Sequence, residues 1–322
     1  MKRAFQAAAL VLVSMLSAGA ARAADSVTLR LDWVYGTEHS GVFTALEKGF
    51  FKDAGIDVKI LPGEGSSVTV KLVGNGDVDF GYATADQAML ANARGLPVVA
   101  TAVILQNNPT AIVFPKSEGI KKLTDLYGKR LGLQLKSAVE RQWRAVAKMQ
   151  NIDTSKINEV PADLAVAQLI IAHRIDAGVA FFFNDGIRPI SEGIDMDWLL
   201  FRDLGLQMYS SSLIVNADTI KNKPDLVGRF TKAFVRGWQY AKDHPDEAYA
   251  LTIKANPTLD NKYNQLKLPA VLTLLDSPEV KAHGVGYSTR QGWEVLEKTL
   301  IDLDMMKDQV NVDTVFTNQF LK

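Results

Sequence analysis

The chain is 322 residues long, carries 36 basic and 36 acidic side chains, and contains no cysteine. A formal charge of zero gives no reason to expect nucleic acid or an anionic membrane surface as a partner. The missing thiols exclude disulfides, thiolate metal sites, cysteine nucleophiles and a lipidated-cysteine anchor.

Lys2 and Arg3 precede an apolar run over 4–16, and Ala21-Arg22-Ala23 supplies a small-x-small cleavage site. That pattern predicts a secretory signal over 1–23, cut after Ala23. Without Lys2, Arg3 and Arg22, the mature chain has 33 basic against 36 acidic residues. It holds no further apolar run of about 18 residues, so we expect a soluble protein free in a bacterial periplasm. Its length predicts two domains or lobes, each with ample core.

The first strand falls at 27–31. The loop that follows, "DWVYGTEH", crowds Trp33, Tyr35 and His39 into seven residues. Ser40 is placed to cap a helix through Lys48, stopped by Gly49. A second strand at 56–61 leads through "PGEGSS" into a helix capped by Ser66 or Ser67 and ending near Gly74. A third strand, 78–83, runs into the capping-box pattern Thr84-Ala85-Asp86-Gln87 and a helix to Arg94. A fourth strand follows over 97–105.

The pattern then restarts. "TAIVFPKSEGIKKLTDLYGKRLGLQL" reads as strand, short helix, strand. Ser137-Ala138-Val139-Glu140 opens a helix to about Gln150. Next come a strand near Val160, a helix over 163–173, the strand "AGVAFFF", and two more strands in "DWLLFRDLG" and "QMYSSSLIVN". Beyond Asn216 the chain reads as helical almost to its end. Leu226, Phe230, Ala233, Phe234 and Trp238 mark one long helical face.

Strands alternating with helices of about ten residues predict an α/β fold with mainly parallel sheets. No Pro/Gly/Ser linker separates the two units. Strand-like crossings near 106–113 and 209–216 would join them as a hinged pair with a cleft between. This places a first lobe at 24–108, a second at 109–212, and a largely helical return to the first at 213–322. Open α/β sheets bind ligands beyond the carboxyl ends of their strands.

Several segments carry a family resemblance. They are "LDW" with a loop ending in "HSG", "ALEKGFFKDAGIDV", "GEGSSVTVKLVGNGDVDFGYA", "GLPVVATAVILQNNPTAIVF", "GIKKLTDLYGKRLG" and "VNVDTVFTNQFL". Together they resemble the solute-binding proteins of nitrate/sulfonate/taurine and thiamine-pyrimidine ABC transporters, over essentially the whole mature chain. The resemblance implies a type II periplasmic binding fold, two α/β lobes that close on a ligand. It also implies delivery to a membrane permease with a cytoplasmic ATPase. The first loop leans toward the branch that binds flat pyrimidines. That branch often has Pro-Asn-Thr-Asn where this chain has Tyr35-Gly36-Thr37-Glu38.

Candidate ligand contacts come from the strand-end turns. Trp33 and Tyr35 can stack on a planar ring, although Trp33 would also serve as a core plug. His39 can bond a ligand or the backbone. Glu64 suits an amine or aminopyrimidine. Ser66 and Thr84 sit at helix starts, where capping and binding are compatible. Asn108 lies at the first crossing. Lys136 and Ser137 begin a helix facing the cleft, suited to an anion, whereas Arg141 reads as solvated. Phe183 and Asn184 end a strand with a ring and an amide.

The four histidines are scattered, and no metal motif, P-loop or nucleophile elbow is present. We therefore expect a monomeric binding protein with no cofactor, metal or catalytic residue. Its ligand would be a pyrimidine or other flat aromatic, with sulfonate, taurine, nitrate or an aromatic carboxylate as alternatives. Two other readings compete. One is a thiamine-pyrimidine synthase, a family whose cysteine-rich iron motif is missing here. The other is a periplasmic sensor subunit.

Overall fold

The computed structural model of the chain describes residues 23–135, 137–163 and 165–322. The signal segment over 1–22 and Lys136 lie outside the described residues. Ten strands form two five-stranded sheets. The first contains β1 (Asp25–Arg30), β2 (Ile56–Leu61), β3 (Phe80–Thr84) and β4 (Val98–Val103). The second contains β5 (Thr110–Pro115), β6 (Arg130–Leu133), β7 (Asn158–Pro161), β8 (Ala177–Phe181) and β9 (Met196–Leu200). β10 (Ser211–Asn216) returns to the first sheet.

The strand order is β2-β1-β3-β10-β4 in one sheet and β7-β6-β8-β5-β9 in the other. β1 runs parallel to β2 and β3, and β6 runs parallel to β7 and β8. The two passages between sheets deliver the antiparallel strands. β10 lies antiparallel between β3 and β4, and β5 antiparallel between β8 and β9. All six residues of β4, β5 and β10 are buried, in keeping with the apolar runs at their centres. The edge strand β2 instead exposes Asp57 and carries Lys59, which blunts its open side.

The chain passes between sheets over 104–109 and again over 201–210. Both passages come a few residues earlier than the sequence suggested, because 110–113 and 211–216 are already paired sheet strands. The second lobe's helix is also shorter than expected, Val166–Ile171. Asp163 and His173 flank it with positive φ, 41° and 53°.

Helix Pro224–Asp243 buries its apolar face against helix Ser40–Glu47. The contact depends on two glycines. A Cβ on Gly41 would lie 2.1 Å from the Trp238 ring, and one on Gly237 would lie 2.2 Å from the Gly41 carbonyl. Behind the first sheet, Phe230 stacks on Phe80 at 3.9 Å and on Phe51 at 5.0 Å, while Tyr82 stacks on Trp238 at 5.8 Å. This aromatic layer fixes the floor from which the cleft residues project.

Candidate functional site

A cavity of about 540 Å³ opens between the sheets and takes its lining from both. That size lies within the usual range for small-molecule clefts. Its first wall grows from the turns after β1, β2 and β3. The Asp32-Trp33 turn is locked by the glycine-rich loop after β2. Gly63 N–H donates to the Trp33 carbonyl at 2.7 Å, and Gly65 N–H donates to the Asp32 carbonyl at 2.6 Å. A side chain at Gly63 would strike the Leu31 carbonyl at 2.1 Å. The motif "GEGSS" is therefore needed to hold the first loop in place.

Trp33 lines the cleft and remains 42% exposed, so its ring is available and is not a core plug. Tyr35 does not line the cleft. Its hydroxyl donates to the Ile60 carbonyl at 3.0 Å, and its ring packs edge-on against Phe43. His39 is fully buried outside the lining, with Nε2 2.9 Å from Asp32 Oδ1. It holds Asp32, which does line the cleft. Glu64 points to solvent, 78% exposed, and meets Arg30 at 3.4 Å.

Ser66 lines the cleft but does not cap its helix. The N-cap is Gly65, at φ 115°, and the Ser66 hydroxyl accepts from Thr84 N–H at 3.1 Å. Thr84 also lines the cleft, yet its side chain makes no cap bond. The expected box fails because Gln87 donates to Asp86 Oδ2 at 2.9 Å instead of reaching back.

On the opposite wall, Ser137 caps helix Ala138–Met149, accepting from Glu140 N–H at 3.1 Å. It is not among the lining residues, whereas Ala138, Val139, Arg141 and Gln142 from the same helix are. Asn108 is buried at the base of the cleft, donating to Gln142 Oε1 at 3.0 Å and accepting from Thr110 N–H. Phe183 and Asn184 line the cleft from a single π-helical turn, Phe182–Gly186, where the sequence suggested a continued strand. Asn184 Oδ1 accepts from the Tyr263 hydroxyl at 3.1 Å.

Several lining residues escaped the sequence reading. Five carboxyl side chains face the cleft: Asp32, Glu38, Asp86, Asp163 and Asp185. Among the described residues, Arg141 is the one basic side chain in the lining, and its buried Nε has no hydrogen-bond partner. Glu38 pairs with buried Lys267 at 2.7 Å. Burial, the largest influence, pushes the Glu38 carboxyl up, but the charges of Lys267 and His39 and the hydrogen bond from Lys267 together outweigh it and leave the carboxyl below its ordinary value. Burial likewise opposes the charge on Lys267, but Glu38 and Tyr263 together raise it above its usual value. Asp185 is shifted upward, chiefly by burial, although Ala167 N–H donates to it at 3.1 Å.

Tyr82 is 1% exposed and lines the cleft. Burial, and then the charge of Asp32, push its phenol well above the ordinary value, so it stays a donor. Ser211 stands near enough to draw that value down, yet the hydroxyl has no partner in hydrogen-bonding geometry. An unpaired buried hydroxyl is costly unless something else meets it. Only "VDFGYA" ending a strand could have signalled Tyr82; Lys267 and Tyr263 left no local signal. No group of three or more histidine, aspartate or glutamate side chains is placed to hold a metal among the described residues.

Two lobes, antiparallel return strands and a cleft between them define a protein of the periplasmic binding protein fold. The chain belongs to the NMT1/THI5-like family, whose model matches residues 36–248. It is 26% identical over 299 residues to 4-amino-5-hydroxymethyl-2-methylpyrimidine phosphate synthase of Legionella pneumophila, with 92% of each chain covered. It is 20% identical over 302 residues to the formylaminopyrimidine-binding protein of Halalkalibacterium halodurans, covering 92% of this chain and 91% of that one. The periplasmic aliphatic sulphonate binding protein SsuA of Escherichia coli aligns with a TM-score of 0.69 at 12% identity, covering 90% and 91%. At that identity the likeness is one of fold alone.

Proposed function

We propose that this protein is the periplasmic solute-binding component of an ABC importer and that its solute is a flat aminopyrimidine. The chemistry of the cleft carries the reading. An exposed indole, Trp33, stands beside carboxylates and a buried phenol, with one guanidinium in the lining. Among the described residues of the lining, a sulfonate or nitrate would meet five carboxyl groups, one of them paired with Lys267, and a single basic side chain, Arg141. An aminopyrimidine offers an amine to Asp32 or Asp86, a ring nitrogen to the Tyr82 hydroxyl, and a face to Trp33. Phe183 and Asn184 would cover it from the second lobe. Tyr35, His39 and Glu64 are assigned supporting or surface roles.

The mechanism is ligand-driven closure. A ligand that touches both walls binds the closed state better and shifts the population toward it. The closed form then docks on the permease. The curated relatives' names support the pyrimidine class, from a synthase and a binding protein alike.

The test is a thermal-shift and calorimetric panel on the mature protein. It sets 4-amino-5-hydroxymethyl-2-methylpyrimidine and its formylamino relative against taurine, an alkanesulfonate, nitrate and benzoate. Pyrimidine binding alone should raise the melting temperature, because only native protein binds. Stabilisation by the anions and not by the pyrimidines would overturn the solute assignment. A synthase reading rests on the relative's name. Iron-dependent pyrimidine formation by the purified protein would favour it over transport.

A further inference from the structure

We propose that helix Lys262–Leu272 and the turn after it form a clasp between the lobes, with Tyr263 as its catch. The segment belongs to the helical return after β10, yet it touches both halves of the molecule. At its far end it is tied to the first passage between the lobes. Gln106 N–H donates to the Leu274 carbonyl at 2.8 Å, and Asn107 Nδ2 donates to the Asp276 carbonyl at 2.8 Å. From its first turn to its middle it is tied to the first lobe's loop. Thr37 Oγ1 donates to the Asn264 carbonyl at 3.2 Å, and Lys267 pairs with Glu38.

Its first turn reaches the second lobe. There Tyr263 donates to Asn184 Oδ1 at 3.1 Å, and the Arg188 guanidinium lies 3.9 Å over the Tyr263 ring. The Lys267 ammonium sits 5.5 Å from the Phe183 ring. Asn184 and Phe183 are among the residues that line the cleft from the second lobe.

If the second lobe swings away about the two passages, something in this chain of contacts must give. Breaking the buried Lys267–Glu38 pair would strand two desolvated charges. That costs far more than losing one neutral hydrogen bond and a half-exposed cation–π contact. The Tyr263 contacts therefore part first. They hold the lobes together before any ligand arrives and set how far the empty protein opens. Tyr263 is thus a positioning residue for Asn184.

Only the effect on ligand rests on the proposed function; the clasp itself is testable without ligand. Because the chain has no cysteine, Lys71→Cys and Lys148→Cys place two spin labels on exposed positions in opposite lobes. In the ligand-free protein, Tyr263→Phe should raise the ratio of long to short distances about fivefold, the worth of one neutral hydrogen bond. Arg188→Ala should raise it further. Tyr249→Phe, which alters a contact to Asp260 on the return segment, should leave it unchanged.

Two results would overturn the clasp. One is a wild-type protein already at the long distance; the other is a Tyr263→Phe distribution that superimposes on wild type. Where 4-amino-5-hydroxymethyl-2-methylpyrimidine binds the wild type, Tyr263→Phe should weaken it by a similar factor. If that pyrimidine does not bind while the distances shift, the solute assignment fails and the clasp stands.

Discussion

The two walls of the cleft differ in kind. The first lobe presents polar groups already fixed by neighbours: Asp32 by His39, Glu38 by Lys267, and Thr84 N–H by Ser66. The second combines apolar surface from Val166, Val179, Ala180, Phe181 and Phe183 with Arg141, Gln142, Asn184 and the carboxyl groups of Asp163 and Asp185. Under the proposed function, the difference gives them separate tasks. A wall of preset hydrogen-bonding groups orients a solute, whereas an apolar wall gains most by covering it and excluding water.

The sharpest way to break that contrast is to unpair a preset group. Lys267→Met should leave Glu38 buried without its cation and cost about 3–5 kcal/mol of stability. Urea unfolding would read it, and Glu38→Gln added to Lys267→Met should recover most of the loss. Next, Trp33→Ala should weaken solute binding at least tenfold, about 1.4 kcal/mol. The melting temperature of the empty protein should barely move, because the ring is exposed. An unchanged dissociation constant would remove Trp33 from the orienting wall.

Acidity separates the walls in a subtler way. Glu38 has a lowered folded pKa, so its contribution is present above the ordinary carboxylate value and is lost as pH falls through the lowered one. Asp185 has a raised folded pKa, mainly through burial, so the fold favours its protonated form. Its contribution is complete below the ordinary carboxylate value and is lost as pH rises through the folded one. Asp185→Asn should therefore stabilise the protein modestly at pH 7 and add nothing below about pH 4. Thermal melts of wild type and variant across that range would show it. The smallest effect belongs to Glu64→Ala, a solvent-facing change expected to alter stability by no more than ~0.5 kcal/mol. Solute affinity should also be unchanged in calorimetry.

The sequence made much of the first wall legible. Its residues sit in the turns directly after β1, β2 and β3, where strand period, glycines and helix starts are local signals. Those signals point to Trp33, Ser66 and Thr84, which line the cleft. The same signals misplaced Tyr35, His39 and Glu64, because adjacency in the loop does not decide which side faces the cleft. His39 turns inward to hold Asp32, and Tyr35 spends its hydroxyl on the β2 backbone. The second wall was harder. Ser137 caps its helix as its sequence pattern implies but stays out of the lining, and the strand-like "FFF" turns at Phe182 into a π-helical turn that redirects Phe183 and Asn184.

By itself, the sequence determined the alternation of strands and helices, the two-unit organisation and the glycine-built first loop. Each rests on periodicity or turn chemistry within a few residues. Only the tertiary structure decided the carboxylate-rich lining, the unpartnered Tyr82 hydroxyl, the Lys267–Glu38 pair and the Tyr263 contact to Asn184. These depend on which distant side chains are desolvated together, and burial across a fold leaves no periodic trace along the chain.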